Sequence, residues 1–330
     1  MRRVAINGMG RIGRTAFKLL VDHPQLDLVA VNDIAAAESI AYLIKHDSVH
    51  GNFEKEVYLE GDSLLVAGKK VTFFNESDPE KLPWGGLNVD FVIESTGIFT
   101  NQEDAEKHIK AGAKTVILSG PTGSESVPTV VHGVNSGDGN VNVFSCASCT
   151  TNNISPIIEI LGRRVGVKKA IMTTVHANTI SNAVVDRPNA KNARMGRSGI
   201  NNLIPTTTGA AIATTKALPE YQGKFDGLAI RVPVISGSIS DITLVTERPT
   251  SVKEINEILT EESTTDRYKE VFGVTGDPIV SSDILKSPYA SVADLQMTKV
   301  VDGDLVKILA WYDNEWGFTN QMIRQILESV

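Results

Sequence analysis

Val4-Ala5-Ile6-Asn7-Gly8-Met9-Gly10-Arg11-Ile12-Gly13 joins a short apolar strand to a G-x-G-x-x-G run, and Ile12, Ala16, Leu19 and Leu20 follow at helical spacing. A strand therefore turns sharply into a helix at this point. Glycines let such a turn tighten and let the backbone approach a pyrophosphate, whose charge then sits on the helix N-terminus. The spacing marks Gly8, Gly10 and Gly13, with Arg11 and Ile12 between them, as candidate dinucleotide contacts. Asp33 stands twenty residues after Gly13, at the end of a second apolar run over residues 28–32. A carboxylate there accepts from a ribose 2′-hydroxyl. The bland alternative is a glycine turn with no ligand; the strand before it, the helix after it and Asp33 favour the dinucleotide.

Outward from this turn, residues 89–94 and 115–119 read as buried strands separated by a helix over residues 102–111. The βαβ rhythm predicts a Rossmann-type, doubly wound parallel sheet. Residues 57–59, 64–66 and 71–74 read as a meander with Gly61 and Gly68 in its turns. After residue 149 the texture changes. A helix is expected over residues 150–161 and a strand over 170–175, whereas residues 177–204 show no period. Aperiodic stretches of that length inside a domain are usually functional or interfacial. Strands over residues 228–232, 238–245 and 306–312, the first two with no helix between them, predict an α+β catalytic domain with a largely antiparallel sheet. Ser251 with Glu254 reads as a capping box, Asp302-Gly303 as a hairpin turn, and residues 317–330 as a closing amphipathic helix. The expected division is a dinucleotide-binding domain over residues 1–148, joined by the helix of residues 317–330, and a catalytic domain over residues 149–316.

The 330 residues carry a formal charge of −7, with 42% apolar and 22% charged side chains. The acidic balance argues against a general nucleic-acid binder or an anionic membrane surface. The apolar content excludes wholesale disorder, and no apolar run approaches the ~18 residues of a membrane span. Only three apolar residues follow Arg2 and Arg3, too few for a signal sequence, and two cysteines do not staple a secreted scaffold. A cytoplasmic protein is expected.

Ser148-Cys149-Thr150-Thr151-Asn152 sets a cysteine at a helix start, where the dipole can lower a thiol pKa from ~8.5 into roughly the 3.5–7.5 range. A thiolate there suits covalent catalysis; an inert buried cysteine is the alternative. Thr174-Val175-His176 ends a strand with a histidine placed for general-base work. Cys146 and Cys149 spell C-x-x-C, but without a second cysteine pair or closely spaced histidines no zinc site is expected.

With these parts in hand, the whole chain resembles the phosphorylating glyceraldehyde-3-phosphate dehydrogenases. The resemblance rests on Asn7-Gly8-Met9-Gly10-Arg11-Ile12-Gly13-Arg14, Val31-Asn32-Asp33, Lys45-His46-Asp47-Ser48-Val49-His50-Gly51 and Glu94-Ser95-Thr96-Gly97. It continues through residues 147–152, 173–177, 205–211, 231–233 and 311–317, where Ser-Cys-Thr-Thr-Asn followed by Asp-Asn-Glu-Trp-Gly is highly specific. It implies glycolytic chemistry with NAD, a phosphorylated aldehyde and inorganic phosphate, and no nucleic acid or membrane partner. Cys149 forms a thiohemiacetal and then a thioester, and His176 acts as the base. The resemblance gives Asn314 to the nicotinamide carboxamide and sets Thr96 and Ser119 along the same cofactor. It gives Thr179 and Arg231 to the substrate phosphate, and Ser148, Thr150, Thr208 and Gly209 to the attacking phosphate. It implies a homotetramer with residues 177–204 at a subunit interface.

The chain departs from the family pattern at Cys146 and Asn153, at Asn178 and Ser181 beside the expected base, and at Phe318. Met195 stands where an arginine usually reaches the attacking phosphate, and Arg194 is the neighbour placed to compensate. Ser77 and Arg187 replace the usual residues of the adenosine end, which leaves NADP use open beside NAD. Rival readings are a dehydrogenase of another phosphorylated aldehyde such as erythrose 4-phosphate, a Cys-His hydrolase and a non-catalytic NAD sensor. The glycine run with Asp33 opposes the hydrolase; intact Cys149 and His176 oppose the sensor.

Overall fold

The computed structural model describes residues 1–136, 141–190 and 192–329; Lys191 of the aperiodic stretch and Val330 of the expected closing helix lie outside the described residues. The chain forms two compact units. The first comprises Met1–Val130, Gly137–Ala147 and Met322–Val330, and the second Val131–Ser136 and Ser148–Gln321.

In the first unit the order is β1 (Arg2–Asn7), α1 (Arg11–Leu20), β2 (Leu26–Asn32), α2 (Ala37–Lys45), β3 (Val57–Glu60), β4 (Ser63–Val66), β5 (Lys69–Phe74), β6 (Phe91–Glu94), α3 (Gln102–Lys110), β7 (Thr115–Leu118) and β8 (Val143–Ser145). The sheet runs β3-β4-β5-β2-β1-β6-β7-β8. From β5 to β8 every pairing is parallel, and the expected meander adds β3 and β4 antiparallel at one edge. Both faces of the parallel part are covered, so β1 and β6 carry near-continuous apolar runs rather than alternation. Trp84 anchors one face, fully buried against Ala5, Ala30, Val89 and Val92. The chain leaves β1 toward β2 and later returns on the other side at β6. The carboxyl ends of β1 and β6 thus flank the crevice where doubly wound sheets bind ligands.

One ion cluster ties α1 to the loop after α2. The Asp47 carboxylate accepts from Lys18 Nζ and Arg11 Nη1, both at 2.8 Å, and from the N–H groups of Val49 and His50. Lys18 and Asp47 side chains are only 3% and 2% exposed.

The second unit holds α4 (Cys149–Val165), β9 (Val167–Ala177), β10 (Ile204–Thr207), α5 (Ala210–Ala217), β11 (Phe225–Val232), β12 (Ser238–Thr246), α6 (Val252–Ser263), β13 (Phe272–Thr275), β14 (Ser291–Asp294), β15 (Lys299–Val301) and β16 (Leu305–Tyr312). The last helix, α7 (Trp316–Glu328), begins here and ends within the first unit. The sheet order is β10-β11-β9-β12-β16-β14-β13, with β15 on β16. It is mixed: β9 lies between β11 and β12, parallel to the first and antiparallel to the second. The two strands without a helix between them are therefore not neighbours. A helix the sequence pattern does not reveal, α5, lies on the crossover from β9 to β11 and makes their parallel pairing possible.

Local signals mostly act as written. Asp302 and Gly303 take φ of 50° and 77° between β15 and β16, as an Asp-Gly hairpin turn requires. Ser251 Oγ accepts from Glu254 N at 3.2 Å, but the Glu254 carboxylate turns to Arg248 and Thr250, so only half of the capping box forms. Among the described residues no helix is long and apolar enough to cross a membrane.

Candidate active site

Ser148 caps α4: its Oγ accepts from Thr151 N at 3.0 Å, which sets Cys149 as the first helical residue. Just before it, Ala147 turns the chain with a φ of 60°. His176 sits at the end of β9, and its Nε2 lies 3.5 Å from Cys149 Sγ. On the far side of the ring, Nδ1 lies 2.7 Å from the Ala177 carbonyl. A proton on Nδ1 would donate to that oxygen and leave the Nε2 lone pair facing sulfur, the tautomer a base needs, whereas the donor-only Arg231 guanidinium beside the same Nδ1 favours the opposite tautomer. Parallel register pairs Arg231 with His176. Arg231 Nη1 donates to the Ala177 carbonyl at 3.0 Å and lies 2.8 Å from Nδ1.

The electrostatics of the pair pull in two directions. Burial pushes the half-buried Cys149 thiol up, while the Arg231 charge, the Thr150 side chain and the Thr150 and Cys149 N–H groups pull back part of that rise. Burial, helped by Arg231, holds His176 down at about 4. The imidazole is therefore neutral near pH 7. Burial also raises the Cys146 thiol to about 12, as befits a packing residue rather than a reactive one.

Tyr312 completes this corner and escapes sequence reasoning. Its hydroxyl lies 2.9 Å from Thr150 Oγ1 and 2.8 Å from Thr174 Oγ1, and its ring meets His176 edge-on at 6.0 Å. The alternation of β16, which buries Val306, Ile308, Ala310 and Tyr312, is the signal that it points inward. Thr150, expected on the attacking phosphate, is 4% exposed with its hydroxyl on Tyr312.

The remaining anion candidates make local contacts. Thr179 Oγ1 lies 2.9 Å from Ser181 Oγ, Thr208 Oγ1 accepts from Ala210 N at 3.2 Å, and Gly209 is the N-cap of α5. Arg194 lines a surface pocket with Asn192, Pro205, Thr206, Thr207 and Leu228. Asn314 Oδ1 accepts from Gly237 N and Ser238 Oγ, both at 3.2 Å, which orients its amide and leaves Nδ2 as the donor end.

In the first unit each glycine of the turn after β1 has a distinct reason. Gly8 has a φ of 93°, and a Cβ there would stand 2.6 Å from Thr96 N. A Cβ on Gly13 would stand 1.9 Å from the Gly8 carbonyl oxygen, so α1 packs on the turn itself. A Cβ on Gly10 would meet nothing, which leaves open space where a pyrophosphate approaches backbone. Asp33 accepts from Met9 N at 2.6 Å and Ala35 N at 2.8 Å, holding its carboxylate over this turn. The Arg11 guanidinium is committed to Asp47, and Ile12 sits half-buried in the first turn of α1. Thr96 N donates to Glu94 Oε1 at 2.8 Å, and Ser119 N to the Glu94 carbonyl at 3.0 Å. Among the described residues no His, Cys, Asp and Glu side chains cluster in a way that would hold a metal.

A glycine turn built for a dinucleotide in one unit, and a capped thiol beside a neutral imidazole in the other, define a class: nucleotide-dependent dehydrogenases that carry a cysteine. A family model described as the NAD binding domain of glyceraldehyde 3-phosphate dehydrogenase matches residues 2–102, and one for its C-terminal domain matches residues 148–314. The glyceraldehyde-3-phosphate dehydrogenase of Thermotoga maritima is 46% identical over 327 residues, covering 98% of this chain and 97% of that protein. That of Clostridium acetobutylicum is 43% identical over 332 aligned residues, covering 99% and 98%. The chain belongs to the glyceraldehyde-3-phosphate dehydrogenase family.

The buried imidazole makes a pH prediction. His176 protonates far more readily in the unfolded chain than at its folded value of about 4. Its contribution is neutral above roughly pH 6.5 and turns destabilising as pH falls toward 4, because the unfolded state then binds the extra proton. Between pH 7 and pH 4.5, wild type should lose roughly 2–3 kcal/mol more unfolding free energy than His176→Asn. Equal losses in chemical denaturation would show that His176 is not held neutral.

Proposed function

We propose that this protein oxidises glyceraldehyde 3-phosphate with NAD and inorganic phosphate, giving an acyl phosphate through a thioester on Cys149. The observation that carries the reading is Cys149 Sγ at the start of α4, 3.5 Å from a His176 Nε2 whose other nitrogen faces a carbonyl. His176 takes the thiol proton as sulfur bonds to the aldehyde carbon. It passes that proton to the alkoxide oxygen, giving the thiohemiacetal hydroxyl, and takes it back as the carbon–hydrogen bond breaks. Bound NAD would supply the hydride acceptor; the residues that would hold it are those of the Gly8–Gly13 turn, Asp33, Thr96 and Ser119, with the Asn314 amide assigned to the nicotinamide carboxamide. The Cys149 backbone N–H, an orphan donor of α4, and His176 stabilise the oxyanion, an effect usually worth a few kcal/mol. Phosphate attack on the thioester carbon releases the acyl phosphate and returns the thiol.

The substrate phosphate is assigned to Thr179 and Arg231, and the attacking phosphate to Ser148, Thr150, Thr208, Gly209 and Arg194. Hydroxyls, a backbone N–H and guanidinium forks suit phosphate oxygens. The domain roles follow: residues 1–148 bind the dinucleotide and residues 149–316 carry the chemistry. The reading includes a cytoplasmic homotetramer. Ile180, Val184, Val185, Ile200 and Leu203 are 62–93% exposed in the aperiodic stretch, apolar surface of the kind subunit contacts cover.

Purified protein should raise NADH absorbance steadily with glyceraldehyde 3-phosphate, NAD and phosphate, and stop near one equivalent per subunit without phosphate. No NADH with either mixture would leave the sensor reading. The Asp33 carboxylate, pinned by Met9 N and Ala35 N, opposes a 2′-phosphate. The kcat/KM for NAD should exceed that for NADP by roughly 10–100-fold. Equal values, or an NADP preference lost in Arg187→Leu, would reverse the cofactor assignment.

A further inference from the structure

The carboxyl ends of β1, β2 and β6 enclose a chain of polar side chains that the proposed chemistry does not use. Asn7, Asn32, Glu94 and His108 are at most 3% exposed, and Trp84 is fully buried. Trp84 Nε1 donates to His108 Nδ1 at 2.9 Å. Indole N–H is donor only, so Nδ1 accepts and His108 Nε2 carries the proton it gives to Glu94 Oε2 at 3.1 Å. Asn7 Nδ2 donates to the same Oε2 at 2.6 Å. Glu94 Oε1 accepts from Thr96 N at 2.8 Å and from the Thr96 hydroxyl. Four donors thus converge on two oxygens, and Glu94 serves as a carboxylate that only accepts. The far end is also fixed: Asn32 Nδ2 donates to Asn7 Oδ1 at 2.7 Å, and Asn32 exchanges bonds with the Glu76 backbone N–H and carbonyl. Neither amide can flip without stranding a donor or an acceptor.

This chain ends against the glycine turn. Thr96 N stands 2.6 Å from where a Gly8 Cβ would be, and Ser95 Oγ donates to the Gly8 carbonyl at 2.7 Å. We propose that Glu94, through Thr96 and with Ser95, is a positioning residue that clamps the turn after β6 onto the turn after β1 and so sets the shape of the pyrophosphate-binding backbone. The inference rests on the dinucleotide reading above and deepens it. Glu94 itself touches no ligand; it fixes the backbone that does. In Glu94→Gln one acceptor oxygen becomes an NH₂ that faces either Asn7 and His108 or Thr96 N. A buried donor is stranded in both orientations.

Calorimetry on nucleotide-free protein with NAD, ADP-ribose and AMP tests the proposal, because AMP lacks the pyrophosphate and ADP-ribose keeps it. For Glu94→Gln the Kd of NAD and of ADP-ribose should rise at least about tenfold, with AMP within about twofold. Ser95→Ala, which removes the hydroxyl's bonds to the Gly8 and Asn7 carbonyls and leaves Glu94 in place, should weaken NAD and ADP-ribose by about threefold or more and leave AMP unchanged. NAD and ADP-ribose binding by Glu94→Gln within threefold of wild type, or AMP weakened in parallel, overturns the inference. Should Glu94→Gln fail to fold, unchanged ADP-ribose binding by Ser95→Ala overturns it alone. A wild-type chain that binds none of the three ligands overturns the functional reading instead.

Discussion

Cys149→Ser should lower NADH formation by roughly 10⁴-fold or more, with the Kd for NAD changed by less than about twofold. The size follows from the pair's resting state. His176 is neutral and its Nε2 lies 3.5 Å from the sulfur, so it can take the thiol proton as the sulfur attacks. A serine hydroxyl in the same enclosure holds its proton far more tightly, and oxygen is a poorer nucleophile toward this chemistry. The Ser148 cap that places residue 149 is untouched, so the helix and the imidazole remain where they are. Stopped-flow absorbance at saturating aldehyde, NAD and phosphate measures the loss, and calorimetry measures NAD. Retention of more than about 1% of wild-type turnover would remove Cys149 from the nucleophile's role.

The largest stability effect outside the active site is expected at Asp47. Replacing it with Ala should destabilise the first unit by about 3–5 kcal/mol, the usual cost of leaving a buried charge without its partner. The charge left behind is Lys18, whose pKa burial already lowers and whose bond to Asp47 holds it up. Lys18, Arg11 and His50 keep the Asp47 carboxyl well below the usual carboxylate range against its own burial. Its contribution is thus present above the unfolded value near 4 and is lost as pH falls below it. Denaturation at pH 7, followed through Trp84 in the first unit, should show the full loss, and denaturation at pH 3 a smaller one. A cost below about 1 kcal/mol at pH 7 would mean that solvent reaches Lys18 and replaces the carboxylate.

Several features of the active-site region were readable before any coordinates. Gly8, Gly10 and Gly13 follow from sterics within one turn and its helix, and Asp33 follows from counting along one βαβ unit. Cys149 as a helix-start residue follows from Ser148, because an N-cap acts three residues along the chain. The α5 helix escaped for a local reason. Its buried stripe is Ala210, Ala211, Ala213, Thr214 and Ala217, side chains too small to stand out against a polar face.

Periodicity and turn chemistry in the chain itself determined that a dinucleotide-type turn, a capped cysteine and a strand-end histidine exist, since each needs only neighbours within a few residues. Tertiary structure alone decided what those groups became. Tyr312 reaches Thr150 and Thr174 across sequence separations of 162 and 138, and Glu94 meets Asn7 across 87. It also decided that β9 lies between β11 and β12, which brings Arg231 to His176. The sign of the Cys149 shift belongs here as well. A helix dipole can be read from sequence, but the burial that pushes the thiol the other way is a property of everything packed around the sulfur, and that packing is set by topology rather than by residue order.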